Sequence, residues 1–119
     1  MHILSRVRSA ASAALFATVS AAFAPTAHAQ AMQYTDFGSI QLLEAGWSQD
    51  TMAVTHSAPL VNPSGCPVTN AGYATDPADA GHNLFHTVAL AAFLNRKEVA
   101  LLISGCVYSK PKIISVRMR

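Results

Sequence analysis

His82 and His86 stand four residues apart in a stretch of helical spacing, His82-Asn83-Leu84-Phe85-His86. Residues at i and i+4 share one face of a helix, and two imidazoles so placed can ligate a single metal ion. The glutamate of the zinc-protease motif is missing between them, and a third ligand would have to come from His56, Asp76 or Asp79. With no third ligand at a fixed spacing, the pair reads as two ordinary histidines at a helix start, and neither a metal nor another cofactor is expected. Hydrolysis needs a nucleophile with an aligned base. The chain has no G-x-S-x-G, and nothing in the sequence aligns a serine with a histidine as nucleophile and base. The expectation is a protein that binds and does not catalyse.

Binding chemistry has better material. Trp47, Tyr73 and Tyr108 are the aromatics outside the core patterns, with Trp47 and Tyr108 at strand ends beside turns. A sugar has an apolar C–H face and polar rims, so its site combines an aromatic platform with amide and hydroxyl partners; tyrosine and tryptophan offer an apolar body with a polar handle. Asn62, Ser64, Asn70 and Ser109 are such partners by type. The candidate ligand set is Trp47, Tyr73, Tyr108, Asn70 and Ser109, and packing near a disulfide is the plainer account of each aromatic.

The compartment follows from the start of the chain. Arg6 and Arg8 precede an Ala-rich apolar run from Ala10 to Ala24, and Ala27-His28-Ala29 has the A-x-A form of a signal-peptidase site. A membrane anchor needs about 20 strongly apolar residues, and this run is interrupted by Ser12, Thr18, Ser20 and Pro25. Residues 1–29 therefore read as a secretory signal, and residues 30–119 as one secreted or periplasmic domain with no membrane span. Cys66 and Cys106 are the only cysteines. In an oxidising compartment they should pair, closing a loop worth about 4 kcal/mol in the chain-entropy account.

Past residue 29 six basic residues balance six acidic ones, so the working protein is formally neutral. From 30 to 95 every charged residue is acidic, and from Arg96 onward all but Glu98 are basic. Such halves attract within one fold or between copies. Lys110, Lys112, Arg117 and Arg119 would suit a basic groove for single strands, but a neutral exported protein is not expected to bind nucleic acid.

The elements that must position these residues follow from periodicity. Residues 37–47 and 51–56 alternate as two strands joined by a hairpin-length loop; 58–66 is a loop and a short third strand lies around Tyr73. Residues 30–36 read as a loose lead. Asp76-Pro77 gives a helix-start signal, and Phe85, Val88, Ala89, Ala92 and Phe93 have helical spacing within about 80–95. Leu84, Leu90, Ala91 and Leu94 lie on the other sides of that helix. A helix apolar nearly all round is buried on more than one side, so these four mark an interface with another copy of the chain. Residues 99–104 and 113–118 read as two last strands around a turn at 105–111. The order βββαββ is that of the OB-fold, and the expected fold is mainly β with one helix (α+β): an OB-like five-stranded antiparallel barrel with one disulfide.

From Asn83 to Val116 the helix, a polar turn and the run NRKEVALLISGCVYSKPKIISV resemble a pattern of small secreted bacterial proteins, and the arrangement is similar to the B subunits of subtilase-type AB5 toxins. That resemblance implies an OB-fold homo-oligomer, a cell-surface glycan as ligand and a catalytic partner subunit. One motif departs from it. Those subunits carry Phe-Ser-Gly-Val on the first strand, whereas this chain has Phe37-Gly38-Ser39-Ile40. A one-residue shift on a strand turns a side chain to the other face, so Ser39 is not carried over as a sugar contact. The other reading of the whole chain is a small envelope protein with a structural or metal-binding role.

Overall fold

The computed structural model of the chain describes residue 14, residues 31–47 and residues 49–119. The leader expected over 1–29 lies outside the described residues, Ala14 aside. The elements are β1 Gln33–Tyr34, β2 Ile40–Ala45, β3 Met52–His56, β4 Tyr73–Ala74, α1 His82–Leu94, β5 Val99–Val107 and β6 Lys110–Met118. Strands, one helix and two further strands follow in the expected order.

The five-stranded antiparallel barrel is corrected. The strands form one six-stranded mixed sheet ordered β1-β5-β6-β4-β3-β2, open in its ladder between β1 and β2. The added strand comes from the lead read as loose: Gln33 and Tyr34 pair with Ile103 and Leu102 of β5. The mixed character arises where Ala74 of β4 runs parallel to Lys112 of β6. A crossover through α1, followed by the β5–β6 hairpin, returns the chain beside β4 in the same direction, as parallel neighbours require. The lead continues along β5 beyond β1. Thr35 N–H donates to Leu101 C=O at 2.9 Å, and Gly38 exchanges both backbone bonds with Val99. Residues 33–45 thus pair with β5 at one end and with β3 at the other.

Two bulges decide which side chains reach the core. The register of β2 on β3 slips between Ile40 and Leu42. Ile40 is buried, yet Leu42, expected on the same face, is exposed, and Leu43 packs on the core instead. An extra residue on one strand turns the following side chains to the opposite face. In β5–β6 the slip between Leu102 and Ile103 sets Ile103 opposite Ile113 and Leu102 opposite Ser115, leaving Ile114 extra. Ile113 is then buried and Val116 packs against the core, although alternation would set them on opposite faces.

The core gathers Ile40, Met52, Val54, Tyr73, Val99, Leu101, Ile103 and Ile113, with Ala89 and Ala92 of α1. Of the five helix residues expected to face it, only these alanines are fully buried; Phe85 and Val88 are half-buried and Phe93 is exposed. The Asp76-Pro77 start is also corrected. Asp76 Oδ1 accepts from Ala78 N–H at 2.9 Å in a turn, and α1 begins at His82 after Gly81, without a side-chain cap. A Cβ on Gly38 would lie 2.5 Å from Ser57 Oγ and 3.1 Å from Ala58 N, so a larger residue here would crowd the segment that leaves β3. The disulfide joins Cys66 to Cys106 across 40 residues. Asn62 clasps Cys66 by both backbone groups, and Gly105 N–H donates to Ser64 Oγ. The loop before β4 is thereby bound to the β5–β6 hairpin. No helix among the described residues is long and apolar enough to cross a membrane.

Candidate ligand-binding surface

Two turns from distant parts of the chain meet at one end of the sheet. The first follows β2 and carries Trp47, Asp50 and Thr51; the second joins β5 to β6 through Tyr108 and Ser109. Trp47 and Tyr108 pack edge to face with ring centroids 5.1 Å apart, a favoured aromatic geometry. Lys110 Nζ lies 5.1 Å from the Trp47 ring centroid, within cation–π range. Thr51 Oγ1 and Tyr108 Oη share a hydrogen bond at 3.1 Å. Trp47 nevertheless remains 54% exposed, so the pair presents an open aromatic surface flanked by a cation.

The β5–β6 turn runs against backbone preference. Tyr108 and Ser109 have φ of 49° and 63°. Two-residue hairpins of this kind favour asparagine and glycine, and a left-handed residue other than glycine costs on the order of 1–3 kcal/mol. The turn is tighter than the expected one at 105–111: β5 runs to Val107 and β6 resumes at Lys110.

The remaining candidates divide. Ser109 is exposed at the turn, and its C=O accepts from Val68 N–H at 2.9 Å. That bond brings the loop carrying Asn70, also exposed, alongside. Tyr73 is corrected from ligand residue to core: it is 1% exposed and its hydroxyl accepts from Val61 N–H at 2.9 Å. Burial raises its pKa, an effect the Val61 bond opposes. Asn62 and Ser64 are engaged in the clasp around Cys66.

Next to the aromatic pair the two histidines of the His82–His86 spacing meet Asp50, a partner that no spacing announced. His82 Nε2 donates to Asp50 Oδ2 at 2.9 Å, and its Nδ1 donates to Asp79 C=O at 2.7 Å. Two acceptors favour the imidazolium, and the pKa of His82 is raised first by Asp50 and then by the Asp79 carbonyl. His86 Nδ1 lies 4.0 Å from Asp50 Oδ1, and its Nε2 meets Thr75 Oγ1 at 2.7 Å. Its pKa is lowered, mainly by burial; Asp50 opposes that shift and His82 adds to it. The rings are 5.6 Å apart. Lys112 Nζ lies 3.5 Å from Asp79 Oδ2 and 4.0 Å from Asp76 Oδ2. The acidic and basic halves thus meet inside one chain here, and again at Arg119–Glu98.

The metal and triad readings can now be set against geometry. Of the suggested third ligands, His56 uses both nitrogens within the fold, donating to Val99 C=O and accepting from Ala58 N–H. Asp76 and Asp79 face Lys112. Among the described residues no three His, Cys, Asp or Glu side chains form a set able to hold a metal. Thr75, His86 and Asp50 follow one another as a nucleophile, base and acid would, but Thr75 is buried and its Oγ1 already accepts from Met52 N–H at 2.9 Å. That hydroxyl is a structural group.

The helix face assigned to another copy is open. Leu84 is 70% exposed, Leu90 47% and Leu94 69%, while Ala91 is half-buried. Leu94 continues into a groove of about 500 Å³ with Ser39, Ile40, Ala92, Phe93, Arg96 and Lys97. Comparison with protein-family models, curated proteins and solved structures finds no match to this chain.

Proposed function

We propose that this chain is an exported, non-enzymatic recognition module that binds a glycan on the Trp47–Tyr108 surface. The observation that carries the reading is the aromatic pair with Trp47 exposed, Lys110 at its side and Ser109 next in the turn; Asn70 is an exposed residue of the loop that Val68 ties to Ser109. An aromatic face matches the C–H face of a sugar ring, and the amide, hydroxyl and ammonium groups suit its rim. The strained turn adds support: tyrosine occupies a left-handed position that asparagine would fill at lower cost, as expected where a ring is retained for binding and not for stability.

An OB-like wall belongs to the same proposal. In OB-folds the loops after the first strand and between the last two carry oligosaccharide contacts, and a likeness to those loops is supported by the turns that carry Trp47, after β2, and Tyr108, between β5 and β6. The continuous path of 33–45, paired first with β5 and then with β3, supports that comparison. Assembly into a homo-oligomer through Leu84, Leu90, Ala91 and Leu94 and cooperation with a catalytic partner subunit extend the proposal. The Cys66–Cys106 bridge supports export, because disulfides persist in oxidising compartments.

A glycan array probed with the wild-type protein and with Trp47→Ala and Tyr108→Asn tests the site. Wild-type signal should be lost in both variants while their circular dichroism stays native, and Tyr108→Asn should melt no lower than wild type. An array with no wild-type signal, or with signal unchanged in Trp47→Ala, would overturn the glycan reading.

A further inference from the structure

We propose that Asp50, His82 and His86 form a proton-operated coupling that resets the Trp47–Tyr108 surface through the hydroxyl of Thr75 and the Asp50–Met52 stretch. The path is a short chain of contacts. Thr75 Oγ1 accepts from Met52 N–H at 2.9 Å, which leaves the hydroxyl one proton to give. Two acceptors compete for it, His86 Nε2 at 2.7 Å and Met52 C=O at 3.4 Å. Neutral His86 takes that proton on Nε2 at the shorter distance. Once His86 is protonated, Nε2 carries its own hydrogen and must donate. The Thr75 hydroxyl then turns to Met52 C=O, which already accepts from Thr75 N–H, and Oγ1 receives two N–H donors.

The same event acts on Asp50. One carboxylate oxygen is held by His82 at 2.9 Å, and the other faces His86 at 4.0 Å. A cation on His86 draws that second oxygen and competes with His82. Both pulls converge on residues 50–52. Thr51, between them, holds the Tyr108 hydroxyl at 3.1 Å, and Tyr108 supports Trp47 at 5.1 Å. The other charged groups around the cluster are Asp76 and Asp79 before α1 and Lys112 on β6, which neutralise one another in part. Lys110 stands beyond, at the Trp47 ring. Burial favours neutral His86, so the coupling operates on acidification from neutrality.

The biological sense of this coupling rests on the recognition reading, but its test needs no ligand. Trp47 is the only tryptophan of the chain, so its emission reports on this surface alone. The protein is titrated from about pH 8 to about pH 5, the range of histidine switching, with a chelator present, following Trp47 emission and the imidazole proton resonances. Emission should shift with a midpoint below the ordinary histidine value and coincide with the His86 resonance. The transition at that midpoint should vanish in His86→Gln. In Thr75→Val, His86 should still titrate while the emission shift falls to the smaller part that the Asp50 arm transmits. Emission that stays flat in wild type while His86 titrates would overturn the coupling, as would an inflection at the His86 midpoint persisting in His86→Gln or an unchanged amplitude in Thr75→Val. An empty glycan array removes the recognition reading and leaves this titration standing; a flat titration does the reverse.

Discussion

Replacing both Cys66 and Cys106 by serine opens a 40-residue loop. Chain entropy assigns that closure about 4 kcal/mol. The folded state loses little besides the bond. Asn62 still clasps residue 66 by both backbone groups, Gly105 N–H still reaches Ser64 Oγ at 2.7 Å, and Val68 N–H still reaches Ser109 C=O at 2.9 Å. A serine at the buried position 66 also finds an acceptor, because Gly105 C=O lies 3.3 Å from the sulfur. The cost therefore falls on the unfolded ensemble. For a domain of this size each kcal/mol moves Tm by roughly 4–8 °C, so the double variant should melt about 15–30 °C lower. Thermal circular dichroism of wild type, wild type under reductant and the double variant measures it, with native near-ultraviolet spectra below the transition in all three. A fall of under about 5 °C, close to one kcal/mol, would refute the entropic reasoning. Loss of the native spectrum at low temperature would refute the claim that the hydrogen-bonded clasp maintains the loop.

Two further outcomes follow from surface and charge. Leu90→Glu with Leu94→Lys should leave the fold of the single chain native by circular dichroism, since the two side chains are 47% and 69% exposed on it, yet convert an assembled protein into a monomer whose Tm no longer rises with protein concentration; light scattering showing a wild-type monomer at tens of micromolar would remove the helix-face assembly. Stability should peak near neutral to mildly acidic pH. His82, with its pKa raised, contributes fully below about pH 6.5 and loses that contribution as pH rises through its folded value. His86, with its pKa lowered, contributes above about pH 6.5 and loses that as pH falls. Melting curves across pH should therefore decline on both sides, with Asp50→Asn flattening the alkaline limb and His86→Gln the acid one; limbs unchanged in these variants would refute the assignment.

The helix, the hairpin strands and the disulfide were legible because each leaves a local signature. The spacing of Phe85, Val88, Ala89 and Ala92 fits a helix, and α1 ends one residue from its expected limit at Asn95. The core face of each strand was less legible. A bulge at Ile40/Leu42 or Leu102/Ile103 adds one residue without a sequence mark, and every later side chain changes face. Tyr73 lies outside the periodic core patterns, on a strand too short to show alternation; its burial comes from elements distant in sequence, β3 beside it and the loop of Val61. Asp50 is illegible for the same reason. Its partners lie 32 and 36 residues on, and only the packing of α1 against this end of the sheet unites them.

These long-range pairings explain why chemistry-bearing residues concentrate at one end of the fold. The turn after β2 and the β5–β6 turn belong to opposite halves of the chain. Thr51–Tyr108 joins them through side chains, Val68–Ser109 ties in the loop before β4, and the disulfide anchors that loop to β5. A left-handed tyrosine would relax on a free hairpin; here the surrounding contacts over-determine it. The same bonds that hold Tyr108 under Trp47 run through Thr51 and Met52 to Thr75 and the histidines. Rigidity of the aromatic surface and its response to protons are therefore two consequences of one hydrogen-bonded path, and a substitution that cuts the path at Thr75 separates them.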